Sequence, residues 1–328
     1  MDIEIIETER LEKGIMYKET PLLSVVMATY NGERFLKEQL DSIFTQTLQA
    51  SEVIVCDDGS SDNTMAILYA YKEKYEVLSL YQNSERIGVV KNFQKAISLA
   101  KGRYIALSDQ DDIWHQDKLE KLVEAMQKEE KRDAEIPLMV HSDLRMIDER
   151  GEEIHPSYFS FRNYTLPKER SIGYILGPCS VLGNTLLINQ TLASLVVPFP
   201  EGLVVHDYWI ALLNELYGKR ITLERTLVSY RIHQNNTSNP QKRLEKSIRH
   251  SSSFIYLPYR DIGRERVLKT LLKQEGLSAS DRKVILYFLD YLELRGNRIK
   301  LFYRLCSESL IKKGFLYRIY FFYKLLRK

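Results

Sequence analysis

The chain has 328 residues, 44% of them hydrophobic and 28% charged, which suits a folded protein with a substantial core and excludes disorder over most of its length. Its formal charge of +3 hides an asymmetry: from Pro240 onward 21 Lys and Arg face 8 Asp and Glu, so the first part of the chain is acidic and the tail strongly basic. Cys56, Cys179 and Cys306 are too scattered for a disulfide framework or a cysteine metal knuckle, and no apolar run reaches the ~18 residues of a membrane span.

Residues 1–20 read as a charged leader without the basic start and apolar stretch of a signal peptide, so a cytoplasmic protein is expected. Leu22 to Thr29, L-L-S-V-V-M-A-T, predicts a strand buried on both faces of a parallel sheet. Phe35, Leu36, Leu40, Ile43, Phe44 and Leu48 follow at helical spacing. Val53 to Cys56 is a second strand, closed by Asp57, Asp58 and Gly59, and Ser60 to Asp62 can cap the helix of Ile67, Leu68 and Tyr71. Val77 to Tyr81 and Val90 to Lys101 repeat the strand and helix, and Tyr104 to Leu107 opens the acidic stretch A-L-S-D-Q-D-D-I-W. This alternation predicts an α/β fold with a doubly wound, mostly parallel sheet.

Further on, Leu119 to Met126 predicts a helix, Leu138 to His141 a strand, and Asp148 to Gly151 a hairpin turn. Ser157 to Lys168 shows no period and reads as a loop, and Val181 to Ile188 as a strand. In V-V-H-D-Y-W-I-A-L-L-N-E-L-Y, Trp209, Leu212, Leu213 and Leu216 share a helical face, with Asp207 in the first turn. Ile221 to Leu223 and Leu227 to Tyr230 read as two hairpin strands leading to Arg231 and His233.

Ligands of wound α/β sheets sit at the carboxyl ends of the strands. Here those ends are Thr29-Tyr30-Asn31, Asp57-Asp58-Gly59 and Ser108-Asp109-Gln110-Asp111. No G-x-G-x-x-G turn and no G-x-x-x-x-G-K-[ST] loop accompanies them. Crowding Asp109, Asp111 and Asp112 into four residues is costly unless a cation or hydrogen-bond donors offset it. A divalent ion with oxygen ligands is one reading and a solvated, helix-capping turn the other.

Six blocks in order, S-V-V-M-A-T-Y-N-G-E, V-I-V-C-D-D-G-S-S-D-N-T, I-G-V-V-K-N-F, A-L-S-D-Q-D-D-I-W, V-H-D-Y-W and Y-R-I-H-Q-N-N, resemble the family 2 nucleotide-sugar glycosyltransferases of the GT-A fold. The S-D-Q-D-D-I-W and H-D-Y-W forms are similar to rhamnosyltransferase-type members that build bacterial surface polysaccharides. The resemblance covers about two thirds of the chain and implies a GT-A domain over 21–239; it says little about 240–328, which by their own pattern read as a basic helical region with helices such as Val267 to Gln274 and Lys283 to Leu294. It implies nucleotide-sugar contacts from Thr29, Tyr30, Glu33, Asp57, Asp58, Asn92, Asp109 and Gln110. It further implies a Mn²⁺ or Mg²⁺ ion on Asp111, Asp109 and His233, with Asp207 as the base that activates the acceptor.

The expected reaction is inverting transfer of one sugar to a hydroxyl of a surface-polysaccharide or glycoconjugate precursor, either a lipid-linked saccharide or a glycoprotein. dTDP-rhamnose is the first guess for the donor, ahead of a UDP-hexose. A nucleotidyltransferase and a non-catalytic binding module are the alternatives. The Q-x-x-R-W sequence of processive synthases is absent, and no nucleic-acid partner is expected. For Asp57 and Asp58 a plain D-G turn, and for His233 a structural role, stand beside the functional readings. The aromatic and basic ending F-L-Y-R-I-Y-F-F-Y-K-L-L-R-K reads either as an interfacial helix on anionic lipid, giving a peripheral membrane protein, or as a helix packed on the domain or on a second subunit of a homo-oligomer.

Overall fold

The computed structural model describes residues 22–131, 136–234, 236, 262–273, 276–311 and 314–327, so the leader of residues 1–20 lies outside it. Strands β1 (Leu23–Thr29), β2 (Glu52–Asp57), β3 (Leu78–Gln82) and β4 (Tyr104–Ser108) pair in parallel in the order β3-β2-β1-β4. Each crossover carries one helix: α1 (Leu36–Phe44), α2 (Thr64–Lys74) and α3 (Val89–Leu99). The two-residue period of β1 divides its side chains between the faces. Leu23, Val25 and Met27 join α1 in one apolar cluster, whereas Val26 joins Phe93, Ala96 and Ile97 of α3 in the other. Both faces are therefore covered, which is why these strands read as unbroken apolar runs.

Beyond β4 the sheet continues through β8 (Leu186–Asn189), β6 (Leu138–Ile147), β9 (Lys219–Arg231) and β5 (Ile113–Trp114), with β7 (Glu153–His155) beside β6. Strands β6 and β9 run with the first four, and β5, β7 and β8 oppose them. The predicted hairpin over 221–230 is instead this one long strand β9, parallel to β6, with register shifts between Ser142 and Arg145. Its apolar pattern breaks at Glu224 and Arg225 because both side chains reach solvent, not because the chain turns. Likewise the start of the predicted strand at Val181 is a loop and a 3-10 turn (Gly183–Thr185) ahead of β8.

Helix α4 (Lys118–Glu130) covers the α1 face through Leu119, Leu122, Val123 and Met126. Short helices α5 (Tyr158–Phe161), α6 (Ile172–Leu176) and α7 (Gln190–Val196) precede α8 (His206–Tyr217), which is buried almost all round. The tail adds α9 (Ile262–Leu271), α10 (Ala279–Leu292), α11 (Arg298–Ser307) and α12 (Phe315–Leu326). Their inner side chains, from Val267 to Leu325, belong to the same apolar cluster as Val26 and Ile54 of the sheet. Among the described residues no helix is long and apolar enough to cross a membrane.

Candidate active site

The ends of β1 and β2 are tied to one another by side chains of the loops that follow them. Thr29 Oγ1 donates to Asp57 Oδ2 at 2.9 Å, and Asp57 also accepts from the Gly59 and Ser60 amides at 3.1 and 2.8 Å. Asn31 adopts a left-handed backbone (φ 48°), which an Asn tolerates; its amide donates to Ser60 Oγ, and its side-chain oxygen accepts from the Ser61 amide, both at 2.9 Å. Glu33 accepts from the backbone and side-chain nitrogens of Asn63 at 2.8 and 2.7 Å. Asp58, 2% exposed, receives the amides of Ile87 and Gly88, both at 2.8 Å, and Asn83 Nδ2 at 3.1 Å. Asn83 Nδ2 also reaches Asn92 Oδ1, while Asn92 Nδ2 donates to the Cys56 carbonyl. Asp57, Asp58, Glu33 and Asn92 thus shape three loops into one rim, and the plain-turn reading describes much of what Asp57 does here.

Tyr30 stands on that rim with the Arg86 guanidinium 3.9 Å from its ring centroid. Its backbone is gripped by Gln110, whose amide accepts from Tyr30 N at 2.9 Å and donates to Tyr30 O at 3.0 Å. Gly32 makes room for this: a methyl group there would lie 2.4 Å from Gln110 Oε1. The acidic strand end is in this way fixed to the first.

Within the acidic stretch the three aspartates part ways. Asp112 is fully buried, receiving Asn184 Nδ2 at 2.5 Å and the Arg231 amide at 3.0 Å. Asp111 is half-buried, and its Oδ2 lies 2.8 Å from His233 Nε2. Asp109 has its carboxyl pKa held well above the usual range, first by burial and then by the charges of Asp112, Asp111 and Asp207. Asp207, in the first turn of α8, accepts from the Gly183 and Tyr208 amides at 3.1 and 2.6 Å. Two elements more than ninety residues apart thus bring their carboxylates near enough for the charge of Asp207 to act on Asp109.

Behind this surface lies a buried cationic layer that the sequence reading did not assign. The Arg231 side chain, 1% exposed, donates through Nε to the Asp111 carbonyl at 3.1 Å, through Nη1 to the Glu149 carbonyl at 3.2 Å and through Nη2 to Glu38 at 2.5 Å. Lys118, fully buried, donates to the Asn184 carbonyl at 2.7 Å and sits 3.3 Å from the centroid of the Trp114 ring. Burial pulls the Lys118 pKa down, and the Asp112 and Asp109 charges oppose that pull. Phe35 packs between Arg231 and His233, with its ring 5.0 Å from the imidazole. A usable signal was present: Arg231 lies two residues before His233 within Y-R-I-H.

Among the described residues no three His, Cys, Asp or Glu side chains form a metal cage by themselves. The chemistry of the pair present, the Asp111 carboxylate 2.8 Å from the His233 imidazole beside the negative charge around Asp109, suits a hard divalent ion completed by other ligands. Such ions are commonly held by one or two carboxylates together with substrate phosphates.

The Glycosyl transferase family 2 model matches residues 24–187. An uncharacterized glycosyltransferase of Methanocaldococcus jannaschii is 31% identical over 69% of this chain and 75% of its own length. An Escherichia coli enzyme named UDP-Glc:alpha-D-GlcNAc-diphosphoundecaprenol beta-1,3-glucosyltransferase is 28% identical over 69% and 83%. Among solved structures, Staphylococcus aureus TarS 1-349 in complex with UDP-GlcNAc superposes with a TM-score of 0.58 at 17% identity, over 88% of this chain and 84% of that one. A Pyrobaculum calidifontis mannosyltransferase in complex with GDP-Man and Mn²⁺ gives 0.56 at 15%, over 93% and 80%. The expected GT-A fold is thereby met, and with half of the chain under the family model and the transferase relatives beside it, this protein is a glycosyltransferase of family 2.

Proposed function

We propose that the enzyme transfers one hexose, with inversion, from a nucleoside diphosphate sugar to a hydroxyl of a surface-polysaccharide precursor. The observation that carries this is the acidic strand end itself, with Asp111 Oδ2 2.8 Å from His233 Nε2 and Gln110 fastened to Tyr30, close enough to Asp207 of α8 for its charge to act on Asp109. Tyr30, with the rim built by Thr29, Glu33, Asp57, Asp58 and Asn92, receives the nucleoside. Gln110 holds Tyr30 and the acidic strand end in register. Asp109, Asp111 and His233 would, together with the donor's phosphates, hold a divalent cation, Mn²⁺ or Mg²⁺, which would stabilise the departing diphosphate as a Lewis acid.

Asp207 accepts the proton of the acceptor hydroxyl while that oxygen bonds to the anomeric carbon and the bond to the diphosphate breaks. Its two backbone donors fix the carboxylate without removing its remaining lone pairs. Residues 21–239 supply this machinery, and the described helices between Ile262 and Leu326 form an appendage to it. UDP-glucose and UDP-N-acetylglucosamine lead as donors over dTDP-rhamnose, because the E. coli relative's name and the TarS complex carry UDP sugars, with GDP-mannose, the ligand of the P. calidifontis structure, next. A lipid-linked saccharide is the favoured acceptor, after the E. coli relative's diphosphoundecaprenol substrate, and it would put the reaction at a membrane face.

A thermal-shift panel of UDP, dTDP and GDP sugars, each with and without Mn²⁺, tests the reading. A donor at about 100 times its dissociation constant stabilises by about 2.7 kcal/mol, and only with the metal present. No shift with any nucleotide sugar would sink it.

A further inference from the structure

We infer that helices α11 and α12 form a docking platform for an anionic phospholipid surface. The two helices pack as an antiparallel pair, with the Phe302 and Phe322 rings 4.7 Å apart and Arg318 beside Cys306. Their inner side chains, Leu301, Leu305, Phe321 and Leu325, are buried in the main core. The tail therefore packs on the protein, as one of the two expectations for it held. The opposite side is what remains unexplained.

On that side Ile299 and Tyr303 of α11 and Phe315, Ile319, Tyr323 and Leu326 of α12 are exposed, Phe315 by 79% and Tyr303 by 69%. Their spacing of three and four residues puts them in one stripe on each helix. Rotation away from the buried positions, past the Phe302–Phe322 contact, brings both stripes to the same outer surface. Single exposed apolar residues are ordinary, but two adjoining stripes rich in aromatic rings are not.

Charge selects the occupant. Residues 298–328 contain nine Lys and Arg and one Glu. Exposed Lys300 flanks the α11 stripe, and exposed Arg327 lies 4.8 Å from the centroid of the Tyr323 ring on α12. A second copy of the chain meeting this face through a two-fold axis would set the cations of one copy against those of the other. A soluble polyanion would satisfy the cations and leave Ile319 and Leu326 in water. Anionic headgroups over acyl chains satisfy both, as interfacial helices do.

The platform is also coupled to the acceptor side. A methyl group at Gly173 or Gly177 would lie 1.6 Å from the Glu308 carbonyl oxygen or 1.9 Å from that of Leu310, so the turn after α11 presses directly on α6. The loop after α6 leads to Gly183, which donates to Asp207. Docking would thus brace the part of the site that receives the acceptor.

Flotation of the full-length protein with phosphatidylcholine vesicles, with and without phosphatidylglycerol, tests the proposal. Binding is expected only with phosphatidylglycerol and should weaken with salt. Lys300→Ala and Arg327→Ala should each reduce it about fivefold, and Ile319→Ser/Tyr323→Ser should abolish it. These positions are exposed, so thermal midpoints and the donor-induced shift stay unchanged, which keeps failure here distinct from failure of the transferase reading. Equal binding to neutral vesicles, no binding at low salt, or an Ile319→Ser/Tyr323→Ser variant that loses self-association while still floating would overturn it.

Discussion

Gln110 grips the backbone of Tyr30 at both its N–H and its C=O, at 2.9 and 3.0 Å, and so makes the ends of β1 and β4 one rigid unit. The middle residue of the acidic D-x-D stretch is thus a bracket, and its reach depends on Gly32 having no side chain. Gln110→Ala removes two part-buried hydrogen bonds, a loss of about 1–3 kcal/mol. Gly32→Ala displaces the end of the Gln110 side chain to a similar end. Both variants should raise the donor KM about tenfold or more with a smaller change in kcat, measured by steady-state kinetics. An unchanged KM in both would show that the bracket is unrelated to donor binding.

Asp207→Asn should lower kcat by a factor of about 10²–10⁴, the range for loss of a general base, and leave donor and metal binding intact. The amide oxygen of Asn can still accept from one of the two backbone donors that now hold Asp207, so the first turn of α8 keeps its shape. Asp111→Ala should instead weaken metal binding. The two variants are separated by a Mn²⁺ titration of the thermal shift, which Asp207→Asn preserves and Asp111→Ala loses. Full turnover by either one would contradict its assigned role.

Arg231 is the buried support of the acidic stretch, and its guanidinium serves two carbonyls and a carboxylate at once. Arg231→Met leaves the Asp111 and Glu149 carbonyls without this donor, at about 1–3 kcal/mol for each buried group. Arg231→Lys should rescue little, because one ammonium cannot span three acceptors arranged for a planar fork. The pair with Glu38 adds little, since that carboxylate is 56% exposed. We expect chemical denaturation to show about 2–4 kcal/mol lost and Mn²⁺ affinity to fall in parallel. Unchanged metal affinity in a destabilised Arg231→Met would confine Arg231 to stability alone.

How much of this the sequence revealed depends on range. Strands β1, β2 and β4 were legible because both faces of each are buried, which leaves an apolar run no other element explains. Their polar ends pointed to the site for the same local reason. Strand β5 was not legible: its two residues, Ile113 and Trp114, are a strand only because β9 pairs with them. Lys118 drew no assignment from the sequence, since a lysine in a helix's first turn is ordinarily solvated, yet α4 buries it completely over Trp114. Arg231 lay inside a recognised block, but its acceptors, Asp111 and Glu149, lie far away in sequence. The nucleotidyltransferase and binding-module alternatives fell to family membership, not to any one residue.

A fully buried histidine of strand β6 sets an acid limit on stability. His141 of β6 is fully buried, its Nε2 lies 2.8 Å from Thr222 Oγ1, and burial with the nearby Arg220 charge pulls its pKa down to about 3. In the unfolded chain the same imidazole titrates near 6.5. Between these values the unfolded state binds a proton that the folded state refuses, so stability is fully present above about 6.5 and is lost as pH falls toward about 3. The slope from this residue approaches one proton, about 1.4 kcal/mol per pH unit. His141→Gln, which keeps a polar group near Thr222 but cannot titrate, should remove most of that slope while lowering stability at neutral pH. Denaturation midpoints between pH 4 and 7 measure it, and an equal acid slope in the variant and the parent would assign the sensitivity elsewhere, first to His206 and His115, whose pKa values burial also lowers.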